Sequence, residues 1–435
     1  MWKLMWKLSF PAMIGMLMIG INAFVDMAFV GHLVGEEAVS GLSLSIVYTA
    51  ILFALGMLVA EGSASILSRS IGENDLTKQE LVFGNMLAMS LIVGLILIIP
   101  AYFSNFLIRS LGAEGIVLQA GEDYLSIALC GGIFTVIGMA CNFLIRAEGK
   151  IKVAMIITAC GMFLNMLLDP IFIKYFDWGI KGAAWATVVS MAIAASCNLY
   201  YFASGKASFP INWKKIGIQK LIIKDVMNTG FSSFTMNSMS LVQQWFVFLA
   251  IDQYGTTSDI GVFGATLRTM MLAIIPVFGI VRAFQPVVGI NFGAKNYKRV
   301  REAITIFTIA GVALITLIWI PIILSPDSVI KIILPSQILT ADDLLNVRCL
   351  YALLPLFPIA FLCMSLYQAI GNAQIATLLS ISRQLIIFIP LILLLPKYFG
   401  VRGVYLTYFV ADAILISICF CLLLYQRHRL SKLSN

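Results

Sequence analysis

Charge is the scarcest commodity in this 435-residue chain: Asp, Glu, Lys and Arg make up 11% of it, against 60% hydrophobic residues and a mean hydropathy of +0.97. A soluble domain carries about 25% charged residues, so a chain this poor in charge cannot cover a water-facing surface of its size. That shortage excludes a soluble enzyme, a nucleic-acid binder and a disordered chain. Histidine is almost missing too: His32 and His428 stand alone, which excludes a histidine-rich metal centre. No C-x-x-C occurs. The eight cysteines (Cys130, Cys141, Cys160, Cys197, Cys349, Cys363, Cys419 and Cys421) all lie in apolar stretches, where cysteine behaves as a small buried hydrophobe. Neither a disulfide framework nor a cofactor is expected. No stretch is both polar and long enough to form a separate aqueous domain.

What the chain has instead is length in apolar runs. A helix needs about 20 apolar residues to cross about 30 Å of hydrocarbon. Such runs lie near 8–30, 41–66, 83–107, 121–145, 152–174 and 180–204. After a polar, basic stretch, six more lie near 225–251, 260–292, 301–324, 345–370, 373–396 and 401–426. They predict an all-α polytopic membrane protein with twelve transmembrane helices. The basic flank Met1–Leu8 is followed by no A-x-A-type site, so the first run is an uncleaved span.

An even count puts both ends on one face. Nineteen of the 29 lysines and arginines fall on that face, among them Lys3, Lys7, Arg69, Arg146, Lys150, Lys214, Lys215, Arg299 and Arg427. Seven fall on the other, and Arg268, Arg282 and Arg383 fall within spans. The positive-inside rule then places both termini in the cytoplasm, with the chain in the cell (inner) membrane. The net charge of +8 is thereby a topology signal, and the expected partner is the lipid bilayer, not nucleic acid.

The two halves share punctuation. Ile71-Gly72-Glu73-Asn74 corresponds to Phe292-Gly293-Ala294-Lys295, Ala147-Glu148-Gly149 to Ala369-Ile370-Gly371, and Gly179-Ile180-Lys181-Gly182 to Gly400-Val401-Arg402-Gly403. The intervals are 77 and 30 residues in the first half, 78 and 29 in the second. This register predicts duplicated six-helix bundles: an N-lobe over 1–204, a cytoplasmic linker over 205–223 and a C-lobe over 224–435. Each has an even number of helices, so both insert the same way up. They are related by an axis along the membrane normal, with a central cavity between them, an arrangement suited to alternating access.

An ionisable side chain inside a span is costly and marks a functional site by default. Asp26 lies 18 residues past the inner end of the first span, about 27 Å across at 1.5 Å per residue. Asp169 lies about 25 Å across the fifth span, and Thr187 about 10 Å below the outer end of the sixth. All three reach one level in the outer half of the bilayer. Asn165 and Asp169 are four apart and share a helix face. Pro170 lacks an N–H for the carbonyl a turn earlier. Two carboxylates, an amide and a hydroxyl suit a hard cation such as Na+. The same pair is equally suited to sharing a proton. Glu61 sits about eight residues from the cytoplasmic loop, within reach of interfacial water or a lysine, and is a candidate gate. The second half differs: the repeat sets Pro390 opposite Asp169 and Ile386 opposite Asn165, and places Gln243, Gln244, Arg268, Arg282, Arg383 and Asp412 within spans. Arg383 and Asp412 are expected to neutralise each other or to line an aqueous path.

With these features the chain resembles the multidrug and toxic compound extrusion (MATE) family of transporters over essentially its whole length. The resemblance is carried by Val25-Asp26-Met27-Ala28-Phe29-Val30-Gly31, Ser68-Arg69-Ser70-Ile71-Gly72, Ile145-Arg146-Ala147-Glu148-Gly149-Lys150, Asn165 through Ile173, Trp178 through Thr187, and Gln285-Pro286 through Tyr297. The first-half set is similar to the DinF-type branch. That likeness implies a cation or proton site at Asp26, Asn165, Asp169 and Thr187, and a bend of the first helix at Pro11. Glu61 departs from the small residue usual at its position. The resemblance further implies export of lipophilic, often cationic organic molecules by antiport with H+ or Na+. Asn22, Phe163, Met166, Met239, Gln243 and Arg383 are candidates for the substrate cavity. Phe24 and Phe246 could stack on aromatic compounds, and Met13, Met16, Met155, Met162 and Met236 lie in helices expected near the cavity, where methionine suits a promiscuous apolar surface. A monomer is expected.

Two rival readings remain. A flippase for lipid-linked oligosaccharides of the same superfamily would carry cationic side chains in its cavity. A polytopic membrane transferase would need clustered acids, and Asp342-Asp343 is the only adjacent pair of aspartates.

Overall fold

The computed structural model describes residues 1–331, 333–334 and 339–433 of the chain. Among the described residues no strand forms, consistent with a medium that cannot satisfy an open sheet edge. The N-terminal half is built from α1 (Trp2–Leu33), α2 (Glu36–Gly72), α3 (Leu76–Ile96), α4 (Gly115–Cys130 and Gly132–Ala147), α5 (Ile151–Pro170) and α6 (Gly179–Ala203). The second half repeats the pattern with α7 (Lys220–Tyr254), α8 (Thr257–Gly293), α9 (Tyr297–Leu324), α10 (Ala341–Tyr351 and Phe357–Ala369), α11 (Ala373–Ile381 and Phe388–Phe399) and α12 (Val401–Leu433).

Among the described residues ten helices are long and apolar enough to cross a bilayer, and the bent pair of α4 makes an eleventh. The twelfth is α7. It has the length, 35 residues, but carries Thr235, Asn237, Ser238, Ser240, Gln243 and Gln244, polar groups tolerated in a span when they face protein. Several helices outrun their apolar runs: α1 starts at Trp2 and α12 continues to Leu433. Hydropathy stops where charge begins, whereas the helix continues into the interface.

Apolarity alone also hides the breaks. The fourth span, expected as one run over 121–145, bends by 50° between its two parts. A Cβ on Gly131 would lie 2.3 Å from Val188 Cγ2, so α6 presses into the kink and only glycine fits. In α10 a 3-10 turn at Leu354–Leu356 separates the two parts, where Pro355 and Pro358 remove helix donors. Asp169-Pro170 runs directly into a π turn at Ile171–Tyr175, and α11 has its own at Ser382–Ile387.

The lobes meet through α1 and α2 of one and α7 and α8 of the other, and the closest approaches lie toward the end carrying the termini. A Cβ on Gly72 would lie 2.0 Å from the Ile290 carbonyl oxygen, and one on Gly293 would lie 2.2 Å from that of Arg69. These two approaches are mirror versions of one contact, because the 221-residue interval that relates Gly72 to Gly293 also relates Arg69 to Ile290. The pseudo-two-fold axis therefore passes between α2 and α8. Gly230 packs on the Leu58 carbonyl and Gly62 on that of Val226 in the same half of the interface. Toward the opposite end, Ile21 and Phe24 on α1, Trp245 and Leu249 on α7, and Met271 and Leu272 on α8 are exposed.

The segment joining the lobes lies on the N-terminal half. Lys215 Nζ is 2.8 Å from Glu80 Oε2, and the Gln219 N–H donates to Asn85 Oδ1 at 2.6 Å. Phe209 and Trp213 pack against Phe83, and Glu148 Oε2 accepts from the Tyr201 hydroxyl and the Ser208 N–H, both at 3.0 Å.

Candidate functional site

Three of the four expected ion-site residues are joined by hydrogen bonds. Asn165 Nδ2 donates to Asp169 Oδ1 at 3.2 Å and to Thr187 Oγ1 at 3.5 Å, while Thr187 in turn donates to the Ala183 carbonyl at 3.1 Å. Asn165 and Asp169 are each only 1% exposed. The i,i+4 spacing on α5 sets both on one face, and α6 brings Thr187 against it. Asp26, on α1, lies within electrostatic reach of Asp169. One oxygen of each carboxylate, Asp26 Oδ1 and Asp169 Oδ2, is buried without a hydrogen-bond partner among the described residues. Asp169 is buried and Asp26 half-buried, and two like charges within electrostatic reach of each other repel unless a cation or a proton is shared between them.

Sequence reasoning passes over Tyr124. It comes from the first part of α4, is 8% exposed, and sits beside Asp26, Asp169 and Thr187. The sequence carries no separate signal for it, because a tyrosine near the end of a span is equally at home at the lipid interface. Pro11 stands 15 residues before Asp26, roughly 22 Å along the helix, and α1 runs through it as one helix from Trp2 to Leu33.

Glu61 belongs to a different cluster. It is 6% exposed on α2 and faces the other lobe, where it accepts from Arg282 Nη1 through Oε1 and from Ser233 Oγ through Oε2. The partner is thus an arginine of α8, not a lysine or interfacial water. The repeat interval could have found it, since Glu61 and Arg282 are 221 residues apart and occupy equivalent positions of the two halves. Ser65 Oγ donates to the Gln368 carbonyl, and Gln368 Nε2 donates to Ser232 Oγ at 2.8 Å and Ser233 Oγ at 3.2 Å.

In the C-terminal half, Arg383 Nε donates to Asp412 Oδ1 at 2.6 Å and Nη1 to Gln243 Oε1 at 3.2 Å. This charge is closed internally. Of the other candidates for a substrate cavity, Phe163 is exposed, Met166 and Met239 are half-buried, and Asn22 keeps a buried Oδ1 without a hydrogen-bond partner among the described residues. Met155 is core instead: it is 5% exposed and fills the space beside Gly15. Asp342-Asp343 also has a structural role, because Asp343 closes a capping box with Thr340 at the start of α10. Among the described residues no three His, Cys, Asp or Glu side chains converge as a metal site would require.

The MatE family model matches residues 11–171 and 229–394, one copy in each half. The chain belongs to the MatE family. It is a multi-pass membrane transporter and not an enzyme. The multidrug export protein MepA of Staphylococcus haemolyticus (strain JCSC1435) is 26% identical over 99% of this chain and 94% of its own length. The MepA of Staphylococcus aureus (strain MRSA252) is 25% identical over 99% and 95%. Among solved structures, the outward-facing conformation of a MATE-family multidrug resistance transporter of the MOP superfamily has a TM-score of 0.92 at 26% identity, covering 100% of this chain and 97% of the other. A MATE transporter in a bent conformation has a TM-score of 0.92 at 26% identity, over 99% and 96%. A Pyrococcus furiosus MOP-superfamily transporter, described as having a binding pocket of reverse polarity that suggests a different function, has a TM-score of 0.90 at 26% identity over 100% and 97%.

Proposed function

We propose that this MatE transporter exports lipophilic, often cationic organic compounds, by antiport with H+ or Na+ and by alternating access of its two lobes. The observation that carries this reading is the pair Asp26, half-buried, and Asp169, buried, two carboxylates within electrostatic reach of each other, each with one buried oxygen lacking a hydrogen-bond partner among the described residues. A proton or a sodium ion bound there, with Asn165 and Thr187 completing the oxygen set, is the driving substrate. Its arrival lowers the charge of the pair from two to one, and its departure restores two like charges that repel. Pro11 gives α1 a weak point from which the segment bearing Asp26 can bend.

Both termini face the cytoplasm in this reading, so the tight approaches around Gly72 and Gly293 close the cytoplasmic side. The conformation is then outward-facing, with the ion site near the open end. The outward-facing MATE-family neighbour and the two MepA relatives support this direction of transport. The chain acts as a monomer, since each half supplies one wall of the cavity.

The test is transport in proteoliposomes with proton and sodium gradients imposed separately. Efflux of a lipophilic cationic dye driven by one gradient, and lost in Asp26→Asn and Asp169→Asn, is the expected result. Lipid-linked oligosaccharide movement without dye efflux would instead favour a flippase.

A further inference from the structure

Glu61 and Arg282 occupy equivalent positions of the repeat and meet across the pseudo-two-fold axis. Around such an axis equivalent positions face one another, so a duplicated residue would face itself. Two glutamates or two arginines there would force the lobes apart. This chain has opposite charges instead. The contact is dry, with the Glu61 side chain 9% exposed and that of Arg282 21% exposed. It lies within the half of the interface where the lobes are tightest.

A third charge adjoins it. Arg146, on the second part of α4, is 7% exposed and packs its guanidinium on the Phe143 ring at 4.8 Å, while Arg282 covers the same ring at 4.7 Å. Arg146 has only a neutral acceptor: Nε and Nη2 both donate to Asn142 Oδ1, at 2.9 and 2.6 Å. It lies within electrostatic reach of both Glu61 and Arg282. Arg146 shares a lobe with Glu61, whereas Arg282, Ser233 and Gln368 belong to the other. A small cavity of about 10 Å³, on the scale of a single water, lies between Arg146 and Arg282 and is lined also by Ala64, Phe143 and Gln285.

From this geometry we infer that Glu61 is a partner-exchanging latch on the cytoplasmic gate, held by Arg282 and Ser233 while the gate is closed and passed to Arg146 when the lobes separate there. Breaking the Arg282 pair before water has entered would leave the Glu61 carboxylate briefly uncompensated in a dry interface, which is heavily disfavoured. Exchange keeps Glu61 paired at every stage, while Arg282, the more exposed arginine, passes into water. The latch therefore holds the outward-facing state without making its release prohibitive. The inference rests on the alternating-access reading; its labelling arms read the gate without requiring transport and only the Arg146→Gln efflux arm uses it, so the two can fail separately.

The measurement is the labelling rate of an Ala64→Cys reporter by a membrane-impermeant thiol reagent in inside-out vesicles, with the eight native cysteines replaced. Glu61→Gln and Arg282→Gln should each speed labelling about tenfold or more, the scale of a lost charge-assisted hydrogen bond. The exchange Glu61→Arg with Arg282→Glu should restore slow labelling. Arg146→Gln should leave the closed gate's labelling unchanged yet slow dye efflux. Unchanged labelling in both single variants overturns the latch. So does Arg146→Gln that labels as fast as Glu61→Gln, or that exports dye normally. Should a single variant fail to fold, the charge exchange decides: a folded, monodisperse double variant that labels rapidly also overturns the proposal.

Discussion

Asp169 in the N-lobe and Asp412 in the C-lobe are both buried carboxylates on membrane helices, yet their surroundings are opposite. Asp169 has an amide on one oxygen, no hydrogen-bond partner among the described residues on the other, and a second carboxylate within electrostatic reach. Asp412 is closed by the Arg383 guanidinium, which Gln243 holds from its far side. The repeat gives the lobes one backbone plan, so the contrast comes from side chains alone. An internally neutralised pair has no vacancy for an ion. The proposed N-lobe site instead keeps one oxygen of each carboxylate without a hydrogen-bond partner among the described residues, and only a group that exchanges its counter-charge can read a gradient. A fold match therefore says little about side-chain chemistry: the Pyrococcus furiosus neighbour, at a TM-score of 0.90, is described as having a binding pocket of reverse polarity.

The sharpest way to break this comparison is to neutralise both kinds of acid. Asp26→Asn or Asp169→Asn should reduce gradient-driven dye efflux about 100-fold or more, as loss of a buried charged group does, with the protein still folded and inserted. Dye efflux that persists in both variants removes the N-lobe from the coupling role. Asp412→Asn should act differently, on stability. It leaves Arg383 buried without its counter-ion, at a cost of about 3–5 kcal/mol, read as a lowered melting temperature in detergent. Replacing both, Arg383→Met with Asp412→Leu, should recover most of that loss, because a well-packed apolar pair is often neutral relative to a buried ion pair. If Asp412→Asn abolishes efflux at an unchanged melting temperature, the second lobe takes part in coupling and the contrast fails.

The parts of this molecule differ in how well a sequence reveals them. The twelve helices are legible because apolar length is a one-dimensional property. The kink at Gly131 is not, because its cause is Val188 on another helix. The π turn after Pro170 is half legible: proline announces a lost donor, but not the direction in which the chain repairs it. Asp26, Asp169 and Thr187 could be placed at one level by helix rise alone, and Asn165 follows from its place four residues before Asp169. Tyr124 could not, because a tyrosine in an apolar run has the same appearance whether it faces lipid, core or carboxylate. Glu61 and Arg282 lay one repeat interval apart in plain view. Their meeting becomes evident only when the axis is known to run between α2 and α8.

Smaller substitutions sharpen the comparison rather than break it. Asn165→Ala removes a donor to Asp169 but leaves the carboxylates in place. Its effect should be about tenfold on the ion concentration giving half-maximal efflux, the scale of one hydrogen bond to a charged group. Dye affinity should be unchanged, since the amide serves the ion and not the exported compound. Tyr124→Phe should have the smallest effect, about fivefold or less on the same quantity. The ring that packs with Val30, Leu42 and Ala183 is retained and only the hydroxyl is lost. Together these two variants grade the N-lobe site: the acids supply charge, the amide orients Asp169, and the phenol adjusts polarity from behind. Should Tyr124→Phe match Asp169→Asn in severity, the phenol would be a direct ligand or proton carrier, and the site would have five members rather than four.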